Sequence, residues 1–319
     1  MKVDIIISIL NGEDYIKEAV DSILKQTYQK WHLYLINNGS SDKTLNIIKK
    51  LQLSNTDKIS VINYEKNEKP SFRWMQIINA SQAEAIAISC HDDNWEQNKL
   101  EAQVGVLNSM NVDICHTNIK MIDYSSKLIK GGPDIENKYR NKVNYLNSDN
   151  KDLSKELCSK NSIRLSSVLI RKSIFEKYGG WEPGIWGGED WALWTKFSAE
   201  NCKFYLLNNE LTLRRVHIAN NSSTSAFTRS FGFLEVIEIL SKKYPFLKND
   251  LLEKKNQIYE RITLLALKKS DYITSRKYSK ILLKNQKYSI RLFIILILSH
   301  CGYLGKIILK LKNIKGELV

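Results

Sequence analysis

The feature that most restricts this chain is an alternation near its start. Short strand-like runs, VDIIISIL (3–10), LYLIN (33–37), ISVINY (59–64) and EAIAIS (84–89), alternate with segments of helical period. In NGEDYIKEAVDSILKQT, residues Ile16, Val20, Ile23 and Leu24 recur at i, i+4, i+7 and i+8, which is one face of a helix. Residues 42–52 and RWMQIINAS (73–81) read as further helices. Strand and helix in strict turn predict an α/β protein with a parallel, doubly wound sheet. A helix over 100–110 and a strand over VDICHTNI (112–119) continue the pattern.

The order then loosens. Residues 124–162 are polar and turn-rich and read as an extended loop over the active-site face. SSVLIRKSIFEKYGGW reads as a strand and a short helix closed by Gly179 and Gly180. GGEDWALWTKFSAEN starts in flexible backbone and becomes a helix, and KFYLLNNELTLRRVH (203–217) reads as two short strands. From about residue 230 the pattern is helical.

Charge separates this last region from the rest. Residues 1–240 hold 30 Lys and Arg against 29 Asp and Glu, and residues 241–319 hold 18 against 5. The tail therefore expects an anionic surface. The run LFIILIL (292–298) is followed by a break, and Lys306 and Lys310 interrupt any twenty-residue apolar span. That argues for an interfacial helix rather than a membrane-crossing one. The alternatives are packing on the main domain or a dimer contact. Each lysine at an anionic leaflet contributes ~1 kcal/mol. No RNA- or DNA-binding module accompanies the lysines, so nucleic acid is not an expected partner. Cys90, Cys115, Cys158, Cys202 and Cys301 are odd in number, widely spaced and free of CxxC pairs. They argue against a disulfide framework or a structural zinc site and fit a reducing cytoplasm. The N-terminal run lacks a signal-peptide cleavage pattern and reads as the first buried strand.

Three stretches carry candidate chemistry. In INNGSSDKT (36–44), Gly39 permits an unusual backbone, Ser40 or Ser41 is placed to cap the next helix, and Asp42 lies in its first turn. In SCHDDNW (89–95) two adjacent carboxylates end a buried strand, which is costly unless a cation offsets their repulsion. Mg²⁺ or Mn²⁺ would do so; alternatively Asp93 or Asn94 caps a helix starting near Glu96. In GGEDWALW (187–194) Glu189 and Asp190 could receive a proton from a hydroxyl, or merely answer a helix dipole. Trp181, Trp186, Trp191 and Trp194 crowd this stretch, suited to sugar stacking or to the core. In RRVHIANNSS (214–223) His217 could be a metal ligand or a core residue, and Arg214 and Arg215 could neutralise a diphosphate.

Taken in order, these segments resemble the family 2 glycosyltransferases, an inverting group with the GT-A fold. The opening 4–44 is similar to that family's strand, Asn-Gly-x-x-x-Tyr turn, helix and Asp-Asp-Gly-Ser turn. EAIAISCHDDNW resembles the segment with its Asp-x-Asp motif, YGGWEPGIWGGEDWALWTKF its acceptor-side Glu-Asp segment, and RRVHIANNSS its closing Arg-x-His stretch. The resemblance covers about 1–225. It implies a catalytic domain over 1–228, with a nucleotide-sugar half to about 120 and an acceptor half after it, and a basic helical extension over 229–319.

By position, the resemblance implies a donor pocket bordered by Leu10, Asn11, Tyr15, Asn37, Asn38, Ser40, Arg73, His91 and Asp92. It implies a divalent cation, Mn²⁺ or Mg²⁺, held by Asp92, Asp93 and His217. Asp190 would be the catalytic base, with Glu189 orienting the site. Two departures stand out: Asn37 and Asn38 replace an acidic pair, and Cys90 stands where the first Asp of Asp-x-Asp would be. An amide both donates and accepts, so a UDP- or dTDP-sugar remains the favoured donor, while one carboxylate fewer weakens the hold on metal. The expectation is an inverting transferase acting on a saccharide or lipid-linked acceptor in cell-surface polysaccharide synthesis, at the inner face of the membrane. The alternative is an inactive relative that binds glycan or a partner enzyme.

Overall fold

The computed structural model describes residues 1–129, 150–181, 188–217, 226–285 and 297. Its first strands are β1 (Val3–Ile9), β2 (Trp31–Asn38), β3 (Ile59–Tyr64) and β4 (Ala85–Ser89). Between them run α1 (Ile16–Leu24), α2 (Thr44–Leu53) and α3 (Pro70–Ala80). All four strands are parallel, with β1 between β2 and β4 and β3 beside β2.

Alternation along these strands builds two cores at once. Val3, Ile5, Ile7 and Ile9 enter one apolar cluster with Leu33, Leu35, Ala85 and Ala87. Ile6 enters the other with Ile36, Ile86 and Ile88. Successive side chains point to opposite faces, so a strand apolar at nearly every position must be covered on both. That fixes helices on either side of the sheet, and the parallel pairing sets the carboxyl ends of β1–β4 at one edge.

The second half departs from simple parallel order. A two-residue strand β5 (Asn94–Trp95), α4 (Lys99–Ser109) and β6 (Ile114–Ile122) lead to α5 (Asn150–Ser159), then β7 (Val168–Arg171) and α6 (Lys172–Tyr178). α7 (Glu189–Ala199) and β8 (Phe204–Arg215) complete the sheet, whose order is β3-β2-β1-β4-β7-β6-β8-β5. β7 runs antiparallel to β4 and β6, and β5 antiparallel to β8. This is the expected GT-A type of mixed α/β sheet with flanking helices. As read, α6 ends at Gly179, whose φ of 71° a side chain would resist.

Three local expectations change. Residues 204–215 form one strand, not two, kept paired to β6 across irregularities at Thr117–Ile119. The helix after the acids, α4, starts at Lys99 with Asn98 at its cap position, so neither Asp93 nor Asn94 caps it, and residues 94–95 pair with β8 instead. Part of the expected loop over 124–162 is helical, at Asn150–Ser159; residues 130–149 lie outside the described ones.

The chain divides into two compact units, 1–184 with 189–220, and 185–188 with 221–319. In the second, α8 (Ala226–Lys243), α9 (Lys248–Lys268) and α10 (Tyr272–Asn285) bury Val236, Leu240, Leu251, Ile262 and Leu282. Among the described residues no helix is long and apolar enough to cross a membrane. Apart from Ile297, the tail read as an interfacial helix lies outside them.

Candidate active site

The turn after β1 and the turn after β2 leave the same edge of the sheet and are stitched together by hydrogen bonds. Asn11 has φ 51°, a left-handed conformation that asparagine tolerates. Its backbone N–H donates to Ser40 Oγ at 3.0 Å, and its Oδ1 accepts from Ser41 N–H at 2.9 Å. Gly12 N–H donates to Thr44 Oγ1 at 2.8 Å. A Cβ on Gly12 would fall 2.8 Å from the His91 ring, so backbone there approaches the third turn closely. Ser40 and Ser41 thus bind Asn11 instead of capping a helix. Asp42 joins the two turns: one carboxylate oxygen accepts from Thr44 N–H at 3.0 Å, the other from Glu13 N–H at 3.1 Å.

Asn37 and Asn38 are buried, and both amides are engaged by the chain itself. Asn38 Nδ2 donates to Glu68 O at 2.6 Å and to Asn67 Oδ1 at 3.0 Å. Its Oδ1 accepts from Glu68 N–H at 3.2 Å and Arg73 Nε–H at 3.4 Å. Asn37 Nδ2 donates to Asn63 Oδ1 at 2.7 Å, and its Oδ1 accepts from Ser40 N–H at 3.3 Å. An ionised Asp at 38 would accept the last two bonds and fail the first two, having no proton to give. The amide is therefore the side chain that the 67–68 segment demands. Arg73 is buried, with its guanidinium 3.4 Å from the centre of the Tyr64 ring.

The turn after β4 carries the charge. Asp92 Oδ2 lies 3.1 Å from His217 Nε2, with 15% and 12% of the two side chains exposed. Tyr15 stacks obliquely on the His217 ring at 4.8 Å. Asp93 is buried: its Oδ2 accepts from Ser166 Oγ–H at 2.5 Å and its Oδ1 from Arg215 N–H at 3.1 Å. Burial, then the charge of Asp92, pushes its carboxyl up to about 6. Burial lowers His91, favouring the neutral ring.

Arg215 joins these parts. It is 0% exposed. Nε–H donates to Asp92 O at 3.0 Å, one terminal nitrogen to Asp123 O at 3.0 Å and Ser126 Oγ at 2.9 Å, the other to Glu18 Oε2 at 2.8 Å. The expected neutralisation of a diphosphate by Arg215 does not fit, because its guanidinium is buried on protein oxygens. Arg214 is half-buried.

Asp190 lies in the first turn of α7. Its Oδ1 accepts from Trp191 N–H at 2.8 Å and its Oδ2 from Asn161 Nδ2 at 2.9 Å; Glu189 beside it is half-buried. The tryptophans hold this helix in the core: Trp191 Nε1–H donates to Leu157 O at 2.8 Å and Trp194 Nε1–H to Ile163 O at 3.0 Å. Both rings are buried, as is Trp181, so packing explains them better than sugar stacking. Trp186 lies outside the described residues.

Cys90 ties the distant segments together. Its thiol is held well above its usual range by burial, then by the charges of Asp93, Asp92 and Asp190. Cys90, Asp92 and Asp93 offer ligand atoms within 4.8 Å of one another, a group able to hold a metal ion. Glu18 and Ser166 went unread in the sequence: Glu18 falls on a helix flank and Ser166 in an apolar strand start, and no spacing links either to the acids.

The sequence profile of glycosyl transferase family 2 matches residues 4–179. An uncharacterized glycosyltransferase of Rickettsia typhi is 28% identical over 304 residues, covering 91% of each chain. Among solved structures, Staphylococcus aureus TarS with UDP-GlcNAc superposes with a TM-score of 0.65 at 15% identity, covering 96% of this chain and 88% of that one. The mannosyltransferase PcManGT of Pyrobaculum calidifontis, in complex with GDP-Man and Mn²⁺, gives 0.61 at 14% identity, covering 95% and 80%.

Proposed function

The chain belongs to glycosyl transferase family 2, and we propose that it moves a sugar from a nucleotide-sugar to a hydroxyl of a saccharide or lipid-linked acceptor, with inversion. The observation that carries this reading is the group at the end of β4, where Cys90, Asp92 and Asp93 hold ligand atoms within 4.8 Å of one another and Asp92 meets His217 at 3.1 Å.

In this reading Asp190 accepts the proton of the acceptor hydroxyl. The hydroxyl oxygen forms a bond to the anomeric carbon as the bond to the diphosphate breaks on the opposite face. The electron pair leaves with the diphosphate, and the proton stays on Asp190. Glu189 orients the acceptor side. Asn161 fixes one Asp190 oxygen and the helix N-terminus the other, so the carboxylate meets the hydroxyl in one orientation.

The donor set fits a divalent cation, since a carboxylate and an imidazole already meet at 3.1 Å on the donor side. Asp92 and His217 would hold it, with Asp93 behind them, and when bound it would neutralise charge on the leaving diphosphate. The solved relatives bind UDP-GlcNAc in one case and GDP-Man with Mn²⁺ in the other. Among donors we favour UDP- or dTDP-sugars. Leu10, Asn11, Tyr15, Ser40 and His91 line the phosphate and ribose side, and Asn37, Asn38 and Arg73 frame the base side. The product would enter a cell-surface polysaccharide, made at the inner membrane face and approached through the basic C-terminal helices.

The test is donor consumption by the purified full chain across a panel of nucleotide-sugars with Mn²⁺ or Mg²⁺. One donor consumed far faster than the others supports the reading. Binding of a donor without any turnover, with or without saccharide acceptors, would instead support an inactive glycan- or enzyme-binding relative.

A further inference from the structure

We propose that Cys90 is a protein ligand of the cation in this cleft, and that its sulfur moves the site's preference from magnesium toward borderline and soft divalent ions such as Zn²⁺, Co²⁺ and Cd²⁺. The inference rests on the reading above that the cleft takes a divalent cation.

The geometry supplies the ligand. Cys90 Sγ lies with the Asp92 and Asp93 oxygens in a group no more than 4.8 Å across. A cation with metal–ligand bonds of about 2.0–2.3 Å draws such atoms together with small side-chain rotations. The two acids are not equal members of the group. Both Asp93 oxygens already accept strong hydrogen bonds, from the Ser166 hydroxyl and the Arg215 amide, in a fully packed position. Asp92 is part exposed and meets His217. The donors left for a cation are therefore the Cys90 sulfur and the Asp92 carboxylate, with the His217 imidazole 3.1 Å from that carboxylate.

That set has a known chemical bias. Mg²⁺ requires oxygen ligands in near-octahedral order and keeps its waters. Sulfur and imidazole favour zinc-like ions. As the sulfur–metal bond forms, the thiol proton passes to solvent, so binding releases a proton. Among the described cysteines, Cys90 alone keeps part of its surface exposed; Cys115, Cys158 and Cys202 are buried. Cys301 lies outside the described residues, so a thiolate signal from an added ion is assigned to Cys90 by its loss in the Cys90 variants.

The experiment uses the full chain stripped of metal, with the Cys90→Ser and Cys90→Asp variants. Co²⁺ titration is followed by near-ultraviolet absorption for a sulfur-to-cobalt band. Displacement of bound Mn²⁺ by Zn²⁺ or Cd²⁺ is followed by electron paramagnetic resonance. The band should saturate in the parent and vanish in both variants. The preference for Cd²⁺ over Mn²⁺ should fall by on the order of tenfold or more in Cys90→Asp. Mn²⁺ binding in the parent with no thiolate band, or an unchanged ion preference in Cys90→Ser, would overturn the ligand assignment and leave the cation reading standing. No binding of any ion by parent or variants would overturn both.

Discussion

The turns after β2 and after β4 leave one edge of the sheet, yet they handle polarity in opposite ways. The first is neutral: Asn37 and Asn38 spend their amides on Asn63, Asn67 and Glu68, all within about thirty residues. The second concentrates charge in Asp92 and Asp93, and it draws partners from much farther off: Ser166, Arg215 and His217 lie 73, 122 and 125 residues away. Neutral groups are satisfied by whatever amides the next loop offers. Buried charge needs a specific cation or several donors, and these come from other strands.

The largest expected effect breaks the charged turn at its hub. Arg215→Met strips donors from Asp92 O, Asp123 O and Ser126 and leaves Glu18 without its cation. Glu18 keeps 43% of its side chain in water, so the cost comes mainly from the acceptors left without a donor, about 1–3 kcal/mol for each that stays buried, read as a lower midpoint in urea. Arg215→Lys should recover less than half, because an ammonium cannot span the same fork. A Met variant within about 1 kcal/mol of the parent would show that the second turn is no more dependent on distant partners than the first.

Next comes Asp190→Asn, which keeps the shape of the acid and removes its basicity. Turnover should fall at least ~10²-fold, about 2.7 kcal/mol of barrier, with donor affinity and unfolding midpoint kept. Near-normal turnover eliminates Asp190 as base and confines the chemistry to the Asp92 side.

Much of this contrast could be read before folding. The 1–89 alternation fixed the parallel strands because Ile5, Ile7 and Ile9 feed one core and Ile6 the other, and that pattern is local. The acids at 92, 93 and 190 were visible as types at turns. What could not be read was their support. Asp93 reads as a ligand or a cap; it stays in the group able to hold a metal ion and is also the buried acceptor for Ser166 and Arg215, while Arg215 reads as a phosphate clamp and is a buried brace. The same asymmetry explains Asn38, whose reason lies in the loop 67–68 and not in any motif.

Placing charge in the neutral turn sharpens the comparison. Asn38→Asp removes the donors to Glu68 O and Asn67 Oδ1 and sets a carboxylate against both oxygens. Arg73 Nε, 3.4 Å away, recovers part of the loss as an ion pair. Net destabilisation of about 1–2 kcal/mol is expected. It should shrink as pH falls, since a protonated acid regains a proton to donate. An equal or more stable variant at neutral pH would mean that the amide is not demanded by its loop.

The last effect is read as a slope with pH and lies behind the charged turn. Lys99 is fully buried, donates to Gln103 Oε1 at 2.8 Å and lies 3.9 Å from the centre of the Trp95 ring. Trp95 in turn donates to Ser166 O, in the segment that holds Asp93. Burial lowers the lysine from 10.5 to about 7, with the Cys115 thiol opposing the shift. Between those values the unfolded chain binds a proton that the folded chain does not. Stability from this group therefore rises with pH from about 7 toward 10.5, and is least where both states are protonated, below 7. The slope is at most about 1.4 kcal/mol per pH unit. Lys99→Met, of similar length and without charge, should raise stability at pH 7 and remove this slope from urea midpoints between pH 7 and 9. If parent and variant keep parallel pH profiles, Lys99 is charged and satisfied in the fold, and the support behind Asp93 is as polar as the acids in front of it.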